Sequence, residues 1–121
     1  MFENPVSKIK TMLDAMTALD VVPECECFDT GIVRSISMFQ STGMLKAPAH
    51  VSLVMGVASG MPANPAWLPL LVDELPDQAH FQVIAIGRQE VSLPLPLLTA
   101  PLPLVSVMRT LPRLHARRRC L

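Results

Sequence analysis

The sequence has 121 residues, half of them hydrophobic and only 4% aromatic, with a formal net charge of zero at pH 7. This length allows one domain with a modest core, and no run of about eighteen apolar residues predicts a membrane-spanning helix. The charge is unevenly placed. Residues 1–91 carry five basic and ten acidic residues, whereas residues 92–121 carry five basic and no acidic ones. This split predicts two segments of different origin or role.

The cysteines and the first residues of the chain indicate the cellular compartment of the protein. Three cysteines without regular spacing are typical of reduced thiols in a cytoplasmic protein rather than of a disulfide framework. The opening stretch MFENPVSKIK lacks the apolar segment of a signal peptide, and a helical pattern begins at once. We therefore expect a cytoplasmic location.

The first third of the chain predicts a helix, a strand and a second helix. Asn4-Pro5 provides a capping side chain followed by proline at the first helical position. Apolar residues at three- and four-residue spacing carry this helix to about Leu19. Glu24 to Phe28 is predicted to be a short strand. The helix that follows has one apolar face and is interrupted near its end by Gly43.

The middle of the chain repeats this order. Val51 to Val57 is nearly all apolar and rich in β-branched residues, as expected of a strand buried on both faces. Gly56 and Gly60 are expected to loosen the chain after it. Asn64-Pro65 repeats the helix-start pattern, and His80 to Gly87 is predicted to be another buried strand.

Alternating helices and buried strands predict an α/β fold with a parallel sheet. The predicted strands end near Phe28, Gly56 and Gly87, which are 28 and 31 residues apart, the length of one βα unit. Both an open doubly wound sheet and part of a (β/α)8 barrel fit this pattern. A complete barrel typically needs about 250 residues, so three βα units can form only a fragment of one.

Residues 92–121 depart from this pattern. They contain nine leucines, five prolines and five arginines, and four of the prolines (Pro94, Pro96, Pro101 and Pro103) forbid a continuous helix and weaken any central strand. We expect this tail to be irregular, disordered or loosely attached. Its arginine-rich end has no interleaved aromatic residues for base stacking. Neither nucleic acid nor a membrane is predicted as a partner.

The stretch PECECFDTG, residues 23–31, alternates two carboxylates with two thiols. On a strand, Glu24 and Glu26 would share one face, where paired carboxylates can hold a cation or serve as acid and base. The alternative is that one of them is a solvated residue at the strand's start. Cys25 and Cys27 would share the other face, and we interpret them as small buried packing residues rather than metal ligands.

Arg88 follows a buried strand and a glycine. Ligands bind at the carboxyl ends of strands in parallel α/β proteins, and a cation there suits an anionic group such as a carboxylate. The alternative is a surface arginine on a loop. Four other residues are expected at the same end: Asp29, Thr30, Met55 and Gly56. His50 and His80 begin their strands, at the opposite end from a usual active site, which argues against a metal site built from them.

Four stretches together resemble one family. They are FENP (2–5), PECECFDTG (23–31), HVSLVMGVASGMPANP (50–65) and LVDELPDQAHFQVIAIGRQEV (71–91). In this order and spacing, the chain through residue 91 resembles the β-keto acid cleavage enzymes, which include the 3-keto-5-aminohexanoate cleavage protein.

This resemblance implies a (β/α)8 barrel, of which residues 1–91 would supply about three βα units. It also implies a zinc-dependent reaction of a β-keto acid with acetyl-CoA that gives acetoacetate and an acyl-CoA. The family's active-site glutamate matches Glu24 or Glu26. Motif position favours Glu24, whereas distance to the strand's carboxyl end favours Glu26. Arg88 matches the arginine of the family's Gly-Ile-Gly-Arg motif, which would bind substrate.

The departures from the family pattern matter as well. The zinc ligands implied by the resemblance, a His-x-His and a glutamate of a later motif, have no match here, so we expect the chain to be inactive alone. We hypothesise that a frameshift produced residues 92–121. An alternative function is a non-catalytic interaction module that uses its Pro/Arg-rich tail. Exposed edges of an incomplete barrel predict self-association.

Overall fold

The computed structural model describes residues 3–86 and the backbone of residues 107–109. The elements in chain order are α1 (Val6–Ala18), β1 (Glu24–Cys27), α2 (Thr30–Ser41), β2 (His50–Met55), a 3₁₀ turn (Pro65–Trp67), α3 (Leu68–Asp73), β3 (His80–Ala85) and β4 (Val107–Arg109). The predicted order of helices and strands through β3 is confirmed, with ends that move by a few residues.

The described strands form one parallel sheet whose spatial order, β1-β2-β3-β4, follows the chain. The register places the residues of β1, β2 and β3 in rows across the sheet. Glu24 pairs with His50 and His50 with His80, while Glu26 pairs with Ser52 and Ser52 with Gln82. The α/β class with a parallel sheet is therefore confirmed.

The helices cover one face of the sheet. Side chains alternate between faces along a strand, and the odd-numbered strand residues enter a single apolar core with residues of all three helices. Its buried members include Leu13, Cys27, Val33, Ile36, Phe39, Leu53, Met55, Leu68, Leu71 and Val83. We call this side the helix face. The even-numbered residues lie on the other side.

Two helix starts that look alike in sequence differ in structure. The predicted Asn4 cap is wrong, because Pro5 occupies the N-cap position of α1 and no side chain caps that helix. Asn64 does cap the 3₁₀ turn, since its side chain accepts a hydrogen bond from the backbone N–H of Ala66 at 3.0 Å. The same Asn-Pro pair therefore caps one helical segment and not the other.

Gly56 and Gly60 do not loosen the chain; they allow it to pack closely. Gly56 has a φ of 88°, and a Cβ there would lie 2.1 Å from the carbonyl oxygen of Ile86. A Cβ on Gly60 would lie 2.8 Å from the carbonyl oxygen of Phe28. The loop after β2 is also hydrogen-bonded to the end of β1, because the Met61 N–H donates to the Phe28 carbonyl at 2.7 Å.

The tail contributes one short strand. β4 pairs in parallel with β3 over Val107–Arg109, a pairing not predicted from the proline content. The segment between Pro103 and Pro112 is free of proline and contains two valines, so its backbone can join a sheet edge. The expectations for the rest of 92–121, and the boundary at Val91, lie outside the described residues. None of the described helices is long and apolar enough to cross a membrane.

Candidate active site

The side of the sheet away from the helices carries the chemistry-bearing residues. We call it the glutamate face and define it by Glu24, Glu26, His50, Ser52, Val54, His80, Gln82 and Ile84. The predicted division of PECECFDTG between two faces is confirmed, because both thiols join the core while both glutamates remain exposed. Parallel pairing brings residues that are far apart in sequence side by side on this face.

Three side chains from three neighbouring strands form a hydrogen-bonded cluster there. Ser52, which is fully buried, donates its hydroxyl to Oε1 of Glu24. The side-chain amide of Gln82 donates to the same Oε1 at 2.8 Å and to the Ser52 hydroxyl oxygen at 2.7 Å. We call Glu24, Ser52 and Gln82 the three-strand cluster. Its bonds satisfy the hydroxyl of Ser52 as both donor and acceptor.

Glu26 lies on the same strand and the same face but has a different environment. It is exposed, and within residues 3–86 no side chain donates a hydrogen bond to its carboxylate. Glu26 also lies two residues closer than Glu24 to the carboxyl end of β1. Among the described residues, therefore, Glu24 is fixed by hydrogen-bond partners and Glu26 is not.

An open cleft of about 580 Å³ lies at the amino ends of the strands and is lined by Val22, Pro23, Glu24, His50, Val51, Ser52, His80, Phe81 and Gln82. The His50 and His80 rings stand beside one another there, with their centroids 5.0 Å apart. Their predicted position at strand starts is confirmed. Glu24, Ser52 and Gln82 therefore border this cleft, whereas Glu26 is not among its lining residues and lies nearer the carboxyl ends of the strands, where ligands bind in parallel α/β proteins.

The thiols pack on the core side of the sheet, as predicted: Cys27 belongs to the core and Cys25 packs against it. Cys27 is completely buried. Burial, and then the nearby Cys25 and Asp29, raises the pKa of its thiol to about 12. Burial, followed by the charge of Glu24, also raises the pKa of Cys25. A thiol held in its protonated form is a poor nucleophile and a poor metal ligand.

The described residues do not fit a zinc ion. Within residues 3–86, no group of three or more histidine, cysteine, aspartate or glutamate side chains is arranged to hold a metal. Oε1 of Glu24 already accepts hydrogen bonds from two donors. We therefore assign no metal ligand to this part of the chain.

The residues expected at the carboxyl edge are there but have mostly structural roles. Asp29 caps α2 by accepting a hydrogen bond from the Ile32 N–H at 2.8 Å, and Thr30 is the first residue of that helix. Met55 ends β2 fully buried in the core, and Gly56 makes the tight turn after it. Arg88, predicted to bind substrate, lies outside the described residues.

Sequence reasoning missed Ser52 and Gln82. Each is a polar residue within an apolar strand, at an even-numbered position that matches Glu24 in face. Both could have been found as polar residues at the even-numbered positions of consecutive predicted strands, which share a face with Glu24. The sequence does not indicate which of them reach one another.

Comparisons with known proteins agree with the resemblance drawn from the motifs. The family model of the beta-keto acid cleavage enzymes matches residues 1–99. A 3-keto-5-aminohexanoate cleavage enzyme of Acetoanaerobium sticklandii is 33% identical over 89 residues, 74% of this chain and 33% of that protein. A 3-dehydrocarnitine:acetyl-CoA trimethylamine transferase of Rhizobium meliloti is 32% identical over 91 residues, 75% of this chain and 30% of that protein. The chain thus spans about a third of the length of these relatives.

Proposed function

The chain belongs to the beta-keto acid cleavage enzyme family, and from this premise we propose that its glutamate face forms one wall of an active site for a β-keto acid. The co-substrate would be acetyl-CoA, which the name of the Rhizobium meliloti relative contains. The observation that carries the proposal is the convergence of Glu24, Ser52 and Gln82 from three parallel strands on the face opposite the helices.

We propose further that the sheet is part of a (β/α)8 barrel. Three features support this: the described strands are all parallel, their spatial order follows the chain without reversal, and the helices pack on one face only. A complete doubly wound sheet reverses its strand order and carries helices on both faces. In a barrel, the glutamate face would be the interior, and the carboxyl ends of the strands would form the mouth.

Within this wall, the two glutamates would have different roles. Glu26, exposed and nearer the mouth, would meet the substrate as a proton or hydrogen-bond acceptor. Glu24, anchored by the three-strand cluster, would place a fixed negative charge below it. Arg88, by its place in the motif, would bind the substrate carboxylate.

We expect the 121-residue chain to release no acetoacetate by itself and to bind no stoichiometric zinc. The reason is that residues 3–86 offer no set of three metal-ligating side chains, so zinc ligands in a working enzyme would have to come from elsewhere. Metal analysis of the purified chain and an assay with acetyl-CoA and a β-keto acid test this. Measurable turnover would contradict it.

A chimera tests the proposed function directly. The 89 residues of the Acetoanaerobium sticklandii enzyme that match this chain would be replaced by those of this chain. We expect acetoacetate release from 3-keto-5-aminohexanoate and acetyl-CoA, because the substituted wall would supply the same groups. A chimera that folds, as judged by circular dichroism and cooperative unfolding, but has no activity would refute the proposal.

Variants of this chimera separate the two glutamates. If Glu26 handles a proton, Glu26→Gln should lower kcat by about 10²–10⁴-fold. Glu24→Gln, which keeps the size of the side chain, should have a smaller effect. The opposite ranking would assign the catalytic role to Glu24, as motif position suggests.

A further inference from the structure

We propose that Ser52 and Gln82 are positioning residues that hold the Glu24 carboxylate in one orientation on the glutamate face. This inference deepens the proposed function, because it explains how a carboxylate at the start of a strand can contribute to a site nearer the strand's end. Both residues belong to the proposed wall, but we assign neither of them a direct contact with the substrate. Each would act through Glu24.

The register shows where the carboxylate is held. Glu24 itself pairs with His50, yet its Oε1 bonds to Ser52 and Gln82, which belong to the row of Glu26. The side chain of Glu24 therefore leans one row toward the carboxyl ends of the strands.

The hydrogen bonds also decide which oxygen is free. Both donors bind Oε1, and within residues 3–86 no side chain donates to Oε2. Two donors on one oxygen oppose rotation about the last side-chain torsion, which is otherwise broad for a glutamate. Among the described residues, Oε2 is therefore the carboxylate oxygen of Glu24 without a side-chain donor, and we assign it to contact a ligand or a water molecule.

Simple packing does not account for Ser52. It is fully buried in a strand whose other central residues, Val51, Leu53 and Val54, are apolar. A buried hydroxyl destabilises a protein unless it is hydrogen-bonded. Alanine or valine would fill the position without that cost. The hydroxyl is explained by its role as the link between Gln82 and Glu24.

A double-mutant cycle on the chain itself tests the coupling. Glu24→Ala, Gln82→Met and the double variant would be compared by urea unfolding, with Glu26→Ala as the matched control on the same strand and face. We expect the Glu24–Gln82 pair to be coupled by about fivefold in the unfolding equilibrium constant, the size of one net hydrogen bond. The Glu26–Gln82 pair should be additive. Additivity in both pairs would overturn the proposal.

A second measurement detects positioning rather than stability alone. Glu24→Ala should move the side-chain amide resonances of Gln82, because it removes the oxygen to which they donate, and Glu26→Ala should leave them in place. Ser52→Ala should move them further than Ser52→Thr, which keeps a hydroxyl. Amide resonances that ignore Glu24→Ala, or that follow Glu26→Ala instead, would refute the assignment.

In the chimera, Gln82→Met should lower kcat by no more than Glu24→Gln does, with little change in KM, since a misplaced group impairs the reaction more than binding. If Gln82→Met destabilised the chimera but left kcat unchanged, the role of Gln82 would be purely structural and the proposal would be overturned. If the unsubstituted chimera were inactive, the proposed function would fail. The cycle and the amide shift would still decide whether Ser52 and Gln82 hold Glu24.

Discussion

The two faces of the sheet use the same strands for opposite purposes. On the helix face, Cys27, Leu53 and Val83 are completely buried and belong to one apolar core. On the glutamate face, their immediate neighbours Glu26, Ser52 and Gln82 are polar. Since adjacent residues of a strand point to opposite sides, one chain segment can stabilise the fold and carry chemistry at once. Substitutions on the two faces should accordingly differ in how much they change the free energy of unfolding.

The largest expected effect is on the helix face. Leu53 is fully buried, so Leu53→Ala should lower the free energy of unfolding by about 2–5 kcal/mol. Leu70→Ala is the matched control, because Leu70 is 68% exposed on α3 and should change stability by less than about 0.5 kcal/mol. Urea unfolding measures both. Equal losses would mean that the core does not lie between the sheet and the helices.

Gly56 directly follows β2, and substituting it tests how closely the chain packs at the carboxyl end of that strand. Gly56→Ala should strain a residue with positive φ and also drive a Cβ against the Ile86 carbonyl. Gly43→Ala has the first problem only, because nothing lies within 4 Å of a Cβ there. We expect Gly56→Ala to cost about 1–3 kcal/mol more than Gly43→Ala. Thermal unfolding of the two variants side by side gives this difference.

The buried thiol of the helix face should make the fold sensitive to alkali. Burial raises the pKa of Cys27 from 9.0 to about 12, so between these values the folded state binds more protons than the unfolded state. Stability is then fully present below about pH 9 and falls as the pH rises toward 12. Cys27→Ala should flatten this decline in urea unfolding at successive pH values. A decline of the same steepness in the variant would show that Cys27 does not cause it.

The smallest expected effect is on the glutamate face. Glu26→Ala should change the free energy of unfolding by less than about 0.5 kcal/mol, because the side chain is exposed and no described side chain donates a hydrogen bond to it. Glu24→Ala, which leaves the buried Ser52 hydroxyl without its acceptor, should cost about 1–3 kcal/mol. A large loss for Glu26→Ala would mean that this glutamate also has a structural partner.

Much of the fold followed from local patterns. The alternation in PECECFDTG assigned the thiols to the core and the glutamates to the other face. The apolar runs located β2 and β3, and Asn64-Pro65 located the start of the third helical segment. The cap predicted from Asn4-Pro5 was wrong, because the same two residues do not always form the same cap. Cap geometry depends on how the chain enters the helix, which no local pattern records.

The sequence by itself determined the class of the fold, the family and the residues available for chemistry, because periodicity and motifs are properties of neighbouring residues. Only the tertiary structure decided which polar groups meet. Glu24 finds its hydrogen-bond partners 28 and 58 residues away, and Gly56 is required because of a carbonyl thirty residues later. Parallel strands pair through long connections, so these contacts depend on register rather than on any nearby residue. Among the described residues, that register gives Glu24 two hydrogen-bond donors and Glu26 none.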